Sequence, residues 1–401
     1  MEQDRFGAFI QDQMNVGPSG KGLLDDMNFA LKDAFALKGH VNSAGNPDWQ
    51  RTHLAAEMHA WAVDRLLVNG AMLRGVTVTD ELMYSLKGDN SHYPPTINPR
   101  LPESFSGGSS SGSAVAAAAG LTDFAMGTDT GGSVRIPSSY CGLFGIRPTH
   151  GVIPLDGVIP LAPSFDTVGW MAQKADVLTK VGKCLLPDQK VSTYSNFYLL
   201  EEAWNLIPSE KDEATLKQAV SRFFPNNAFK HCRLPFSSLQ ELVRTFQIIQ
   251  GIEAWQVHGR WIEANHPKFG RDIAGRFEAA SNMKRDDAYE HAAQIKKQFR
   301  QAMRNLLGSE SLLILPTTYG SAPERGASFE ESENVRAQTM KLTCIAGVSG
   351  LPQITIPVMD QGRPLGLSLI SGDSTDRQLL AFVEKLLSEY GGSHRQLGDA
   401  E

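Results

Sequence analysis

Cysteine is scarce in this chain: four in 401 residues, at Cys141, Cys184, Cys232 and Cys344. None belongs to a C-x-x-C pair, so the thiols read as free and the compartment as reducing. Cys141 reads as a packed core thiol, not a nucleophile. Metal motifs are missing as well. His53 and His59 share a region with Glu57, but not at the H-E-x-x-H spacing, and they read as part of an amphipathic helix. No apolar run is long enough to span a bilayer. Met1-Glu2-Gln3-Asp4-Arg5 lacks the basic and apolar regions of a signal peptide. The net charge is −6 with no long basic run, which argues against nucleic acid and acidic membranes as partners. No internal repeat or low-complexity tract is visible. These absences lead us to expect a cytoplasmic globular protein with no metal motif. At 41% hydrophobic residues it can build a large core, and its length alone would allow two or three domains.

What is present in excess is glycine beside serine. One cluster reads Gly107-Gly108-Ser109-Ser110-Ser111-Gly112-Ser113. A second reads Gly127-Thr128-Asp129-Thr130-Gly131-Gly132-Ser133-Val134-Arg135-Ile136-Pro137. Glycine lets backbone turn and approach a ligand closely. A serine at the end of such a run stands beside free backbone N–H groups that can hold an oxyanion. Two clusters suggest one nucleophile and one relay. The first imitates a phosphate loop, but Ser113 stands where that loop needs Lys. Gly108 to Gly112 also matches the G-x-S-x-G elbow, yet Leu101 to Ser106 makes a poor preceding strand. A flexible linker is the bland alternative. The run Ala114 to Ala119 argues against it, because it reads as a buried helix starting at the cluster. Ser281-Asn282-Met283-Lys284 matches S-x-x-K without its companion motifs and reads as accidental.

The remaining elements alternate. Leu54, Met58, Trp61, Ala62 and Leu66 recur at helical spacing, with Gly70 as a stop. Residues 72–78, 312–315 and 353–358 read as strands, residues 201–310 as mainly helical, and a capped helix begins near Ser374 or Thr375. This alternation predicts an α/β class.

The two clusters resemble the hallmark blocks of the amidase signature family, at the family's separation. The resemblance continues through Cys141 to Thr149, Ser164 to Gly169, Leu315-Pro316-Thr317, Ala346 to Pro352 and Pro364 to Ile370. It covers about residues 27–387 except the middle third. Phe6 to Ile10, Gly45 to Trp49, Arg51-Thr52-His53 and Ser139 to Gly142 further resemble the short plant indole-3-acetamide hydrolase subgroup. The resemblance implies one α/β/α domain with a central mixed sheet: a signature core over 27–180, a helical cleft region over 201–310, and the C-terminal part of the sheet over 311–390. It also implies a Ser-cisSer-Lys triad. Phe29-Ala30-Leu31-Lys32-Asp33 matches the pattern of the lysine strand. Carried over, Lys32 is the base, Ser109 the bridging cis-serine and Ser133 the nucleophile. The backbone N–H groups of Thr130, Gly131, Gly132 and Ser133 form the oxyanion hole. Ser110 supports the site, Ser113 is structural, and Asp129 and Arg135 pair to fix the loop. A serine needs a base beside it, and lysine serves when burial leaves its amine neutral.

The resemblance implies a cofactor-free amide hydrolase that releases ammonia from a primary aryl or arylalkyl amide. A carbamate, urea-type or ester substrate would suit the same machinery. The same subgroup includes amidase-like domains of chloroplast import receptors, so a non-catalytic scaffold is the rival from another class. Lys32, Ser109 and Ser133 are all present, which favours the enzyme. Segment 80–90 is expected to border the scissile carbonyl, with Met83 and Tyr84 lining an apolar cleft. Gln247, Trp255 and His258 are candidates to close it, with core packing as their alternative. The expected partner is a small-molecule amide, with a homodimer left open.

Overall fold

The computed structural model describes residues 4–11 and 14–390. The described residues form one sheet of eleven strands. In chain order these are β1 (Phe9–Gln11), β2 (Asn28–Lys32), β3 (Met72–Thr77), β4 (Phe124–Thr128), β5 (Phe144–Arg147) and β6 (Val168–Ala172), then β7 (Asn196–Leu200), β8 (Phe229–Cys232), β9 (Ser311–Pro316), β10 (Gln353–Asp360) and β11 (Arg363–Ile370). Their spatial order is β1-β3-β2-β4-β6-β5-β10-β11-β9-β7-β8. The sheet is mixed. Strand β2 runs parallel to β3 and β4, the strands from β4 through β9 pair antiparallel, and β7 runs parallel to β8 and β9.

Period-two alternation sorts the strand residues between two helical layers. Phe29, Leu31, Phe124, Met126, Trp170, Ile354 and Leu367 pack on one face with helices Trp61–Val68, Ala175–Leu185 and Asp376–Tyr390. Ala30, Ala125 and Met171 face the other way, onto the buried helix Ser111–Ala118. Both faces are covered, so the strands read as near-continuous apolar runs. Lys32 stands two residues beyond Ala30, and so falls on the face of that helix.

One expectation changes. The apolar spacing from Leu54 does not make one helix. Pro47–Thr52 is a short helix, and the next runs only over Trp61–Val68. Leu54 and Met58 between them are exposed, and His53 caps the first helix. The middle region is mainly helical, with β8 as an edge strand beside β7. Ser281 and Lys284 lie on the surface, at and just beyond the end of helix Arg271–Ser281. No helix among the described residues is long and apolar enough to cross a membrane.

Candidate active site

The first glycine cluster is shaped by close backbone approach. A side chain on Gly108 would meet Asp80 Oδ2 at 2.3 Å and Gly88 N at 2.6 Å. One on Gly112 would meet Ala8 O at 2.3 Å and Val78 N at 2.6 Å. Only glycine fits either place. The Gly108–Ser109 peptide bond is cis. Segment 80–88 clasps the cluster from outside: Asp80 N donates to Ser109 O at 3.2 Å, and Gly88 N donates to Asp80 Oδ2 at 3.1 Å.

Lys32, at the end of β2, is fully buried. Its Nζ lies 2.8 Å from Ser109 Oγ and 2.8 Å from Thr128 Oγ1. Burial pushes the amine down to about 7, against the pull of the Asp80, Asp129 and Asp166 carboxylates. The cause is the cost of holding an ammonium away from water. Burial also pushes the Asp80 carboxyl up to about 6, partly offset by the Gly88 N–H, and its Oδ1 has no hydrogen-bond partner.

The second cluster is organised by Asp129. Its carboxylate accepts from Gly132 N, Val134 N and Arg135 N, and pairs with Arg135 Nη2 at 2.7 Å and Arg147 Nη1 at 3.0 Å. All three side chains are fully buried. Burial pushes the Asp129 carboxyl up, but the two guanidiniums and the backbone donors outweigh it and hold it well below the usual carboxylate range. Such a pair sets loop geometry more surely than it adds stability. The sequence reading found Arg135 and missed Arg147, whose signal was the Gly-Ile-Arg-Pro stretch ending β5.

This arrangement sorts the N–H groups expected to form the oxyanion hole. The Gly132 N–H is spent on Asp129 Oδ1 at 3.0 Å. The Thr130, Gly131 and Ser133 N–H groups have no hydrogen-bond partner among the described residues. Ser110 ties the clusters together, its N donating to Ser133 O at 3.2 Å and its Oγ to Thr128 O at 3.3 Å. Ser113 bonds Thr77 Oγ1 and Met126 O within the core. Thr130 Oγ1 donates to Asp166 Oδ1 at 2.6 Å, a contact the sequence reading did not anticipate. The Ser133 hydroxyl has no hydrogen-bond partner among the described residues, so its link to Ser109 is unmade here.

Ser133, Thr130 and Gly131 line a pocket of about 10 Å³ with Met83, Tyr84 and Phe246. That is room for about one water. Outside it lies a cavity of about 730 Å³, and Tyr84, Gln250, Arg276 and Met340 border both spaces. Gln247 lines the outer cavity. Trp255, partly buried, packs against the core, and His258, fully buried, donates Nε2–H to Pro160 O at 2.8 Å. Burial pushes that imidazole down to about 4, so it stays neutral. Beyond the apolar lining at Ser133, the outer cavity carries Arg271, Asp272, Arg276, Glu333 and Arg336. Cys141 is fully buried and its thiol is pushed up by burial, in keeping with a packed core residue.

The Amidase family profile matches residues 10–247 and 240–380. Amidase 1 of Arabidopsis thaliana is 36% identical over 95% of this chain and 98% of that protein. The translocon at the outer membrane of chloroplasts 64 of Pisum sativum is 33% identical over 94% of this chain and 69% of its own. A solved amidase structure superposes with a TM-score of 0.82, at 24% identity, covering 93% of this chain and 86% of that one. Family profile and relatives agree over nearly the whole length, and the chain is therefore a member of the amidase signature family, an amide-hydrolysing enzyme.

Proposed function

We propose that the enzyme cleaves primary aryl or arylalkyl amides, of the indole-3-acetamide type, through an acyl-enzyme on Ser133. Neutral Lys32 takes a proton from Ser109, and Ser109 takes one from Ser133. The Ser133 oxygen bonds to the carbonyl carbon, and the oxyanion meets the free N–H groups of Thr130, Gly131 and Ser133. The proton returns through Ser109 to the amide nitrogen, the C–N bond breaks and ammonia leaves. Water then repeats the sequence on the ester.

One observation carries this reading: a fully buried lysine amine with its affinity for protons lowered to about 7, 2.8 Å from Ser109 Oγ. A base poised near neutrality is what serine activation needs. Hydrogen bonds such as Ser109–Ser133 often tighten only with substrate present. The Amidase 1 relative supports amides, and Met83, Tyr84 and Phe246 beside Ser133 support an apolar acyl group. The test is Ser133→Ala, followed by ammonia release and fluorophosphonate labelling. Turnover should vanish with the fold intact, and the wild-type label should map to Ser133. A label on Ser110 with Ser133 untouched would move the nucleophile to the first cluster.

A further inference from the structure

Arg276, on helix Arg271–Ser281, borders both the pocket at Ser133 and the outer cavity. Its side chain is half-buried, yet the guanidinium makes no hydrogen bond among the described residues. Its nearest anion, Glu333, is at 4.0 Å, the outer limit of an ion pair. Glu333 is already committed, because its Oε2 accepts from Arg336 Nε at 2.8 Å and pairs with Arg336 Nη2 at 2.7 Å. Burial and the Arg336 charge together lower the proton affinity of Arg276. A half-buried cation with its donors idle is an unfavourable arrangement that an anion in the cavity would relieve. Charge in the cavity wall leans the same way: Arg271, Arg276 and Arg336 face Asp272 and Glu333.

The wall between Arg276 and Ser133 is of a different kind. Tyr84, Met340, Met83 and Phe246 supply apolar surface there. A ligand spanning the two zones is apolar in the middle and anionic at its far end. A single guanidinium with an open fork matches a planar carboxylate, which it can hold through two parallel N–H···O bonds.

We propose that Arg276 is a specificity-determining residue that selects amides carrying a carboxylate at the end distal to the scissile carboxamide. The carboxylate docks on the Arg276 fork, the apolar linker lies on Tyr84 and Met340, and the carboxamide reaches Ser133. This rests on the assignment of Ser133 as nucleophile. The same contact serves ground state and transition state, so its effect falls on KM more than on kcat.

The experiment compares two planar, isosteric substrates with the full-length enzyme at low salt: 4-carboxyphenylacetamide and 4-nitrophenylacetamide. The carboxylate compound should have a kcat/KM roughly ten- to a hundredfold higher, the range of a hydrogen-bonded charge contact. Added salt should shrink that ratio. Arg276→Gln should bring the ratio to about one, chiefly through KM. Glu333→Gln removes the competing anion and should raise it, and this variant decides the matter if Arg276→Gln does not fold. A wild-type ratio at or below one overturns the proposal, as does a ratio unchanged in either folded variant. Hydrolysis of the nitro compound alone overturns it while leaving the nucleophile assignment standing. If neither compound is hydrolysed and no neutral arylacetamide is either, the arylalkyl amide reading fails and this inference falls with it.

Discussion

The acid limb of the pH–rate profile belongs to Lys32 if that residue is the base. An ordinary lysine with a pKa of 10.5 is neutral in roughly one molecule in 3,000 at pH 7. With the amine lowered to about 7, half the enzyme is ready. Burial thus raises base availability by roughly a thousandfold at neutral pH. Ammonia release, followed as kcat/KM from pH 5 to 9.5, should fall about tenfold per pH unit below roughly pH 6 and level off above roughly pH 8. Asp80 offers a rival source for the limb, since its carboxyl sits near 6. Asp80→Asn separates the two. Its charge pulls the Lys32 amine up, so its removal should move the limb to lower pH. A limb that vanishes in Asp80→Asn would assign it to Asp80 and refute the lysine reasoning, as would a wild-type limb near 10. Stability carries a matching signature. The folded proton affinity of Lys32 is below the unfolded one, so the unfolded chain binds more protons between about pH 7 and 10.5, and the Lys32 contribution to stability rises with pH across that window. Lys32→Met should therefore raise the urea midpoint most at pH 7 and progressively less toward pH 10.

Two further outcomes follow from the geometry. Asp129→Asn leaves the buried Arg135 and Arg147 guanidiniums without their anion, and should cost about 3–5 kcal/mol, read as a lower urea midpoint; a midpoint within experimental error of wild type would contradict the role given to Asp129. Met83→Ala removes apolar contact beside Ser133 worth about 0.8 kcal/mol per methylene, and should cut the preference for phenylacetamide over acetamide roughly fourfold or more; equal wild-type kcat/KM for acetamide and indole-3-acetamide would remove the apolar acyl pocket.

The local order of residues determined much of this protein by itself. Ala30 and Lys32 alternate with Phe29 and Leu31, which places the lysine on one face of a strand whatever its neighbours are. The Gly-Gly-Ser cluster before an alanine run marks a close-packed turn into a buried helix, because only glycine tolerates backbone at that distance. The helical spacing from Leu54 misled because Leu54 and Met58 stay exposed, outside any core face, and the chain turns helical only at Trp61. Tertiary structure alone decided the proton affinities and the donor inventory. Lys32 is poised near neutrality because β2, β4 and the Ser109 turn, far apart in sequence, enclose it without water. The Gly132 N–H is taken up by Asp129, which folds back onto it. Arg276 faces the cavity with only a 4.0 Å contact to Glu333, because Arg336, on another helix, holds that carboxylate more closely. Periodicity and turn chemistry act between near neighbours and are written in order along the chain. Desolvation and competition for a partner depend on which distant groups share a space, and only the folded chain brings those groups together.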